Sequence, residues 1–189
     1  MFVLSVNRSA AVRRLIEGKW VLTGIGKQPV DGPVAVGPLG LDGDEQADPR
    51  VHGGLTKAVY SYPREHAAFW RQVRGQSGAS AYDAELPFGL FGENLTTEGL
   101  VEERLWIGDR LVLPGCVLAV SEPRFPCFKF NAAMEFRHAA KMMVQSGFCG
   151  AYLGVVEPGV VSAGDPIRLE PGPREVNLRE LFLARAGGG

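Results

Sequence analysis

Glycine and proline interrupt this chain so often that no long regular element fits between them. There are 25 glycines and 13 prolines in 189 residues. Glycine disfavours element interiors through its backbone entropy, and proline through its missing N–H. The longest apolar stretch, residues 111–120, is itself broken by Pro114 and Gly115. A bilayer-spanning helix needs about 20 consecutive apolar residues, so no membrane span is expected. The pattern suits a mainly β chain of short strands, tight turns and a few helices. A hydrophobic content of 46% is enough for one good core, and the length favours one domain.

Charge and cysteine usage narrow the function classes. A net charge of −1 provides no global basic field for a nucleic-acid polymer. The start, Met1-Phe2-Val3-Leu4-Ser5-Val6, is apolar before it is basic, the reverse of a secretory signal. The three cysteines, Cys116, Cys127 and Cys149, show no CxxC spacing, which argues against a disulfide framework or structural zinc. The expectation is a cytoplasmic protein with no membrane partner.

Apolar and β-branched content predicts strands over residues 3–6, 20–25, 57–62, 116–121, 152–156, 160–161 and 167–169. Residues 10–17 read equally as a helical turn or a loop. A helix is predicted from Pro63 to about Val73, a second over 132–146 with Gly147 as its C-cap, and a short last one over 176–184. Gly108-Asp109-Arg110 predicts a hairpin between 105–107 and 111–113. Residues 75–89 read as an irregular loop, and Gly187-Gly188-Gly189 as a disordered end. His66 and His138 are expected on helices facing solvent, with Cys116 and Cys149 structural.

The segment with the most chemistry is Glu122-Pro123-Arg124-Phe125-Pro126-Cys127-Phe128-Lys129. Pro123 and Pro126 remove two backbone donors, so strand pairing stops here and Cys127 falls on a stiff strand-end loop. Arg124 and Lys129 are near in sequence, and cationic neighbours favour the thiolate, the nucleophilic and metal-binding form. By itself the segment reads first as a buried structural thiol. The His52-Gly53-Gly54 loop, five residues before Lys57, reads alone as a turn with an exposed histidine. With Lys57, a point-charge anion contact, it can also frame a phosphate. Asn94, after Gly92-Glu93, reads equally as a turn cap or a ligand contact. The acidic run Asp42, Asp44, Glu45, Asp48 lacks the glycine and glutamate of a calcium loop, since Ala47 and Gly53 stand at those positions.

Three segments together carry a resemblance. They are Gly40-Leu41-Asp42-Gly43-Asp44-Glu45-Gln46-Ala47-Asp48 continuing through His52-Gly53-Gly54 to Lys57-Ala58-Val59, then Phe91-Gly92-Glu93-Asn94-Leu95-Thr96, then the proline-flanked Cys127. In order and spacing they resemble the MOSC domain, in its stand-alone bacterial, YiiM-type branch. The likeness runs from about Val3 to about Arg168, implying a MOSC domain over 1–170 and a short helical tail over 171–189. It implies a small MOSC-type β-barrel with a few peripheral α-helices. It also implies a molybdenum cofactor, a Mo-pyranopterin with a phosphate tail, bound with Cys127 as protein ligand to the metal.

On that resemblance His52, Lys57, Asn94, Arg124 and Lys129 are cofactor-binding residues. The implied activity is reduction of N-hydroxylated compounds, hydroxylaminopurine-type bases and amidoximes. The chain has no nicotinamide, flavin or iron–sulfur motif, so an external electron-donor reductase is the implied partner. Ala151 and Gly154 are small where the resemblance places an aromatic and an arginine, which implies a wider, less cationic pocket. Two other readings of the same residues stay open: a sulfur-carrier or persulfide-delivery module using Cys127, and a non-catalytic anion-binding module.

Overall fold

The computed structural model describes residues 1–47 and 53–187. In chain order the strands are β1 (Phe2–Arg8), β2 (Val12–Ile16), β3 (Lys19–Thr23), β4 (Gln28–Pro29), β5 (Val34–Gly37) and β6 (Gly40–Leu41). They continue as β7 (Val59–Pro63), β8 (Leu95–Glu98), β9 (Arg110–Val112), β10 (Val117–Pro123), β11 (Ala151–Glu157), β12 (Gly159–Val161) and β13 (Arg168–Glu170). The helices are α1 (Ala67–Ser77), α2 (Phe128–Ala133), α3 (Ala139–Ser146) and α4 (Leu178–Ala186). The fold is mainly β, as the spread of glycine and proline requires.

The main sheet runs β13-β9-β10-β11-β7-β8-β1-β4. Its pairs are antiparallel except β7 with β8, whose parallel alignment requires the long crossover through α1. Along β7 and β11, side chains alternate between two packed faces. Val59 and Leu153 are opposed on one face, Tyr60 and Tyr152 on the other. The first face belongs to an aliphatic core with Val3, Val6, Leu95, Leu111, Leu118 and Val120. The second belongs to an aromatic cluster with Tyr62, Trp70, Phe91, Phe130 and Phe182.

The small closed barrel is not what the strand ladder describes, for the sheet is open. The segment before β13 meets β1 at an isolated bridge, Phe2 to Pro166, where Val3 N–H donates to Asp165 O, Gly164 N–H to Val3 O and Ile167 N–H to Met1 O.

Four local expectations also change. Residues 10–17 form neither helix nor loop: β2 and β3 make a hairpin whose tip, Glu17-Gly18, has both residues at positive φ. That is the geometry a tight two-residue hairpin turn demands. The expected helix over 132–146 is two helices, α2 and α3, separated where Glu135 turns to φ 52°. The expected hairpin at Gly108-Asp109-Arg110 is instead a polar turn. The fully buried Asp109 carboxylate accepts from Trp106 N–H, Gly172 N–H and Arg174, and β9 pairs with β10 and β13. His66 does not face solvent. It is buried against Phe148, 3.7 Å between ring centroids, with Nε2 2.7 Å from Glu102. His138 is exposed. Residues 188–189 of the expected disordered end lie outside the described residues.

Candidate functional site

Cys127 follows the last residue of β10 by four positions and caps α2, so its backbone is extended, at φ −122° and ψ 173°. Its thiol is half-buried and unbonded, whereas Cys116 and Cys149 are free and buried. Burial pushes the Cys116 thiol up to about 11, with Asp165 adding to it. Burial, and then Glu102, push Cys149 well above the ordinary thiol range. The packing thus separates one accessible thiol from two inert ones.

The thiol opens on a cleft of about 90 Å³. Lys57, Asn94, Arg124, Cys127 and Lys129 all line it, brought together from three separate stretches of the chain. His52 lies outside the described residues. The same cleft is walled by Thr23 at the end of β3 and Gly24 and Ile25 beyond it, by Lys27 and Asp44, and by Tyr60 and Tyr152.

Arg124 is the dominant charge. Its side chain is buried beside the rings of Tyr60 and Phe130, 5.3 and 5.0 Å from their centroids, and its Nη1 is 3.7 Å from Met143 Sδ. None of the ion pairs among the described residues includes it. Burial works against its charge, yet Tyr60, Tyr152 and the Cys127 thiol around it outweigh that, and its pKa lies above the ordinary guanidinium value. A buried cation without a carboxylate is costly to maintain and is an obvious seat for an anion.

The other cations are differently placed. Lys57 ends a 3₁₀ turn, Leu55–Lys57, and lies 3.5 Å from Glu122 and over the Tyr152 ring. Lys129 Nζ donates to Leu22 O at 2.9 Å, tying the Cys127 loop to the hairpin. Lys27 is buried and pairs with Asp44, and burial pulls its pKa below the ordinary ammonium value against the pull of that carboxylate.

Asn94 is a strut of this wall. Its Oδ1 accepts from Tyr60 N–H, and its Nδ2 donates to Asp44 Oδ2 at 2.9 Å and to Asn7 O at 3.3 Å. Both amide donors are therefore spent inside the protein. Next to it the buried Glu93 carboxyl accepts from Gly89 N–H, Phe91 N–H and the Thr96 hydroxyl. Burial raises its pKa above the ordinary carboxylate value.

Sequence reasoning missed Lys27, Tyr60 and Tyr152, and gave Asp44 no role beyond its place in the acidic run. Gly24 and Gly26 around Lys27 were a usable hint of a tight ligand-side loop. The small residues at 151 and 154 do not leave the cleft bare. Ala151 packs in the aliphatic core, and Tyr152 supplies the aromatic wall.

Among the described residues no three His, Cys, Asp or Glu side chains gather around a possible metal. One thiol beside several cations is a donor set for an anionic group that brings most of its own metal ligands. A MOSC domain model matches residues 48–168, which span the Lys57 turn, Asn94, Arg124 and Cys127. The chain belongs to the MOSC domain family. It is similar to protein YiiM of Escherichia coli strain K12, 38% identical over 157 residues that cover 82% of this chain and 67% of that protein. Its fold matches the crystal structure of YiiM from Geobacillus stearothermophilus, with a TM-score of 0.76, 31% identity, and coverage of 98% of this chain and 83% of that one. A protein named reductase from Gibberella moniliformis is 35% identical over 188 residues, which is 97% of this chain but 32% of that protein. No helix among the described residues is long and apolar enough to cross a membrane.

Proposed function

We propose that this MOSC protein is a molybdenum-cofactor-dependent reductase of N-hydroxylated compounds. The observation that carries the proposal is the half-buried Cys127 thiol opening on the same cleft as Arg124, a buried guanidinium with no carboxylate partner among the described residues. The reductase name of the fungal relative points the same way. When bound, the cofactor would supply a two-electron redox centre that accepts an oxygen atom.

The chain's own residues supply placement and charge. Cys127 would be the protein ligand to molybdenum, a soft thiolate matched to that metal. Arg124, with Lys57 and Lys129, would neutralise the phosphate and the anionic centre. Tyr60 and Tyr152 wall the cleft, and their raised pKa values, set first by burial and opposed by Arg124, keep both phenols neutral at ordinary pH. For a substrate R–NHOH the overall change is R–NHOH plus two electrons and two protons giving R–NH2 and water. The electrons come from an external donor protein.

The test is protein made in a cofactor-competent host, assayed for bound molybdenum and for thermal unfolding. Parent protein is expected to hold about one molybdenum per chain, and Cys127→Ser to lose it while unfolding normally. Arg124→Met removes charge-assisted contacts that contribute roughly 1.5–3 kcal/mol, so cofactor affinity is expected to fall about tenfold to a hundredfold. Its melting temperature should hardly move, because an unpaired buried charge is itself costly. Sulfane sulfur on Cys127 without metal in the parent would replace this reading with sulfur delivery. Molybdenum retained equally by parent and both variants would remove Cys127 and Arg124 from the site.

A further inference from the structure

The β2–β3 hairpin is exposed over most of both faces, and one of them carries a cluster of large apolar side chains. Opposed residues of an antiparallel pair share a face. The register pairs Leu15 with Trp20 and Arg13 with Leu22, so these four lie together. Leu15 is 61% and Trp20 70% exposed, and Leu22 is exposed as well. On the opposite face Ile16 and Thr23 are buried, whereas Arg14 and Lys19 are exposed, so Arg13 is the cation that shares the apolar face. Two large apolar side chains at the tip of a two-stranded ribbon do nothing for the fold, and exposed apolar clusters rimmed by charge mark contact surfaces.

The hairpin is also cationic in a chain of net charge −1. Over residues 12–23 it carries Arg13, Arg14 and Lys19 against Glu17 alone. None of these three cations takes part in an ion pair among the described residues. The ribbon joins the candidate site directly. β3 runs into the cleft wall at Thr23, Gly24 and Ile25, and Leu22 O holds Lys129, two residues from Cys127.

We propose that the exposed face of this hairpin docks an acidic redox protein that delivers electrons to the cleft. The inference rests on the reductase reading of that cleft. Tryptophan and arginine are the residues most enriched at binding hot spots. Electron-transfer encounters are small and transient, and an apolar patch that includes Arg13 on a cationic ribbon suits one steered by charge.

The test uses holoprotein and two acidic probes, a flavodoxin and a plant-type ferredoxin, each kept reduced by its NADPH-dependent reductase. Turnover of an N-hydroxylated substrate is compared with turnover driven by reduced methyl viologen, which needs no docking surface. In the double variant Leu15→Ser/Trp20→Ser, protein-driven turnover is expected to fall at least tenfold, with viologen-driven turnover unchanged. In Arg13→Glu it should fall severalfold and lose much of its dependence on ionic strength. Equal protein-driven turnover in parent and variants overturns the inference, as does failure of both probes on a parent that viologen drives. A parent that sediments as a dimer, and a double variant that sediments as a monomer, would assign the patch to self-association instead. Absence of viologen-driven turnover in the parent would count against the reductase reading itself. Docking is then decided by titration calorimetry of parent and double variant with flavodoxin, where equal affinity or no binding overturns it.

Discussion

The two faces of the β7–β11 pair differ in chemistry although the same two strands build both. On one, Leu153 packs against Val59 in a wholly aliphatic core. On the other, Tyr152 and Tyr60 sit 5.4 Å apart, and the Arg124 guanidinium lies over Tyr60 at the back of the cleft. The aliphatic face asks only for volume and dryness. The aromatic face keeps rigid, amphipathic rings whose edges tolerate a buried charge and whose hydroxyls find partners. Tyr60 donates to Cys149 O and Tyr62 to Phe148 O. Alternation with period two thus lets one β-strand serve stability on one side and a binding site on the other.

The sharpest way to separate the faces is to damage each in turn. Leu153→Ala leaves a cavity in the aliphatic core and should cost about 2–5 kcal/mol in urea unfolding. Cofactor retention by the folded fraction should stay at the parental level, and a matching loss of retention would mean that the faces are not separable. A smaller effect on stability, but a larger one on the site, is expected from Asn94→Ala. It strips Tyr60 N–H of its acceptor and frees Asp44 and Asn7 O, at roughly 1–3 kcal/mol for the buried groups left unpaired. Here retention should fall along with stability, and retention surviving the loss would show that Asn94 does not brace the wall.

The thiols offer a gentler probe. Iodoacetamide at pH 8 should label one thiol per native chain and three in denaturant, and peptide mapping should find the native label on Cys127. Native labelling of Cys116 or Cys149 would contradict their burial. Cys116 also predicts a weak pH effect. Its folded pKa, about 11, lies above the usual thiol value. The unfolded chain therefore loses that proton first, so the contribution to stability is complete below about pH 8.5 and is lost as pH rises toward 11. Cys116→Ala should flatten that alkaline slope, and an identical slope in the variant would assign it to other groups.

Much of this organisation was legible in the sequence where the pattern is local. The apolar runs at β1, β10 and β11 predicted their strands, and the two prolines after Val120 predicted the stiff loop that carries Cys127. Lys57, Asn94, Arg124 and Lys129 were singled out by motif resemblance, and the fold brings them to one cleft. What stayed hidden was set by tertiary partners. Residues 10–17 gave no clear period because Val12 and Leu15 of β2 are exposed and only Ile16 is buried. The single helix expected over 132–146 hid the turn at Glu135. His66 looked like a surface helix residue because its burying partners, Phe148 and Glu102, lie 82 and 36 positions away. Tyr60 and Tyr152 have no local mark, since they matter only through what packs beside them.

The struts around Asn94 carry a consequence for the order of events in the cell. Asn94 holds Asn7, Asp44 and Tyr60 together, while Tyr152 closes the far wall. No two of these positions are neighbours in the chain, and joining Tyr60 to Asn94 requires the parallel crossover between β7 and β8. Contacts of such long sequence separation form late, after their loop-closure entropy has been met. A ribosome must therefore release the chain well past residue 152 before the cleft exists. Any occupant of that cleft arrives at a finished fold, and its capture reports that folding is complete.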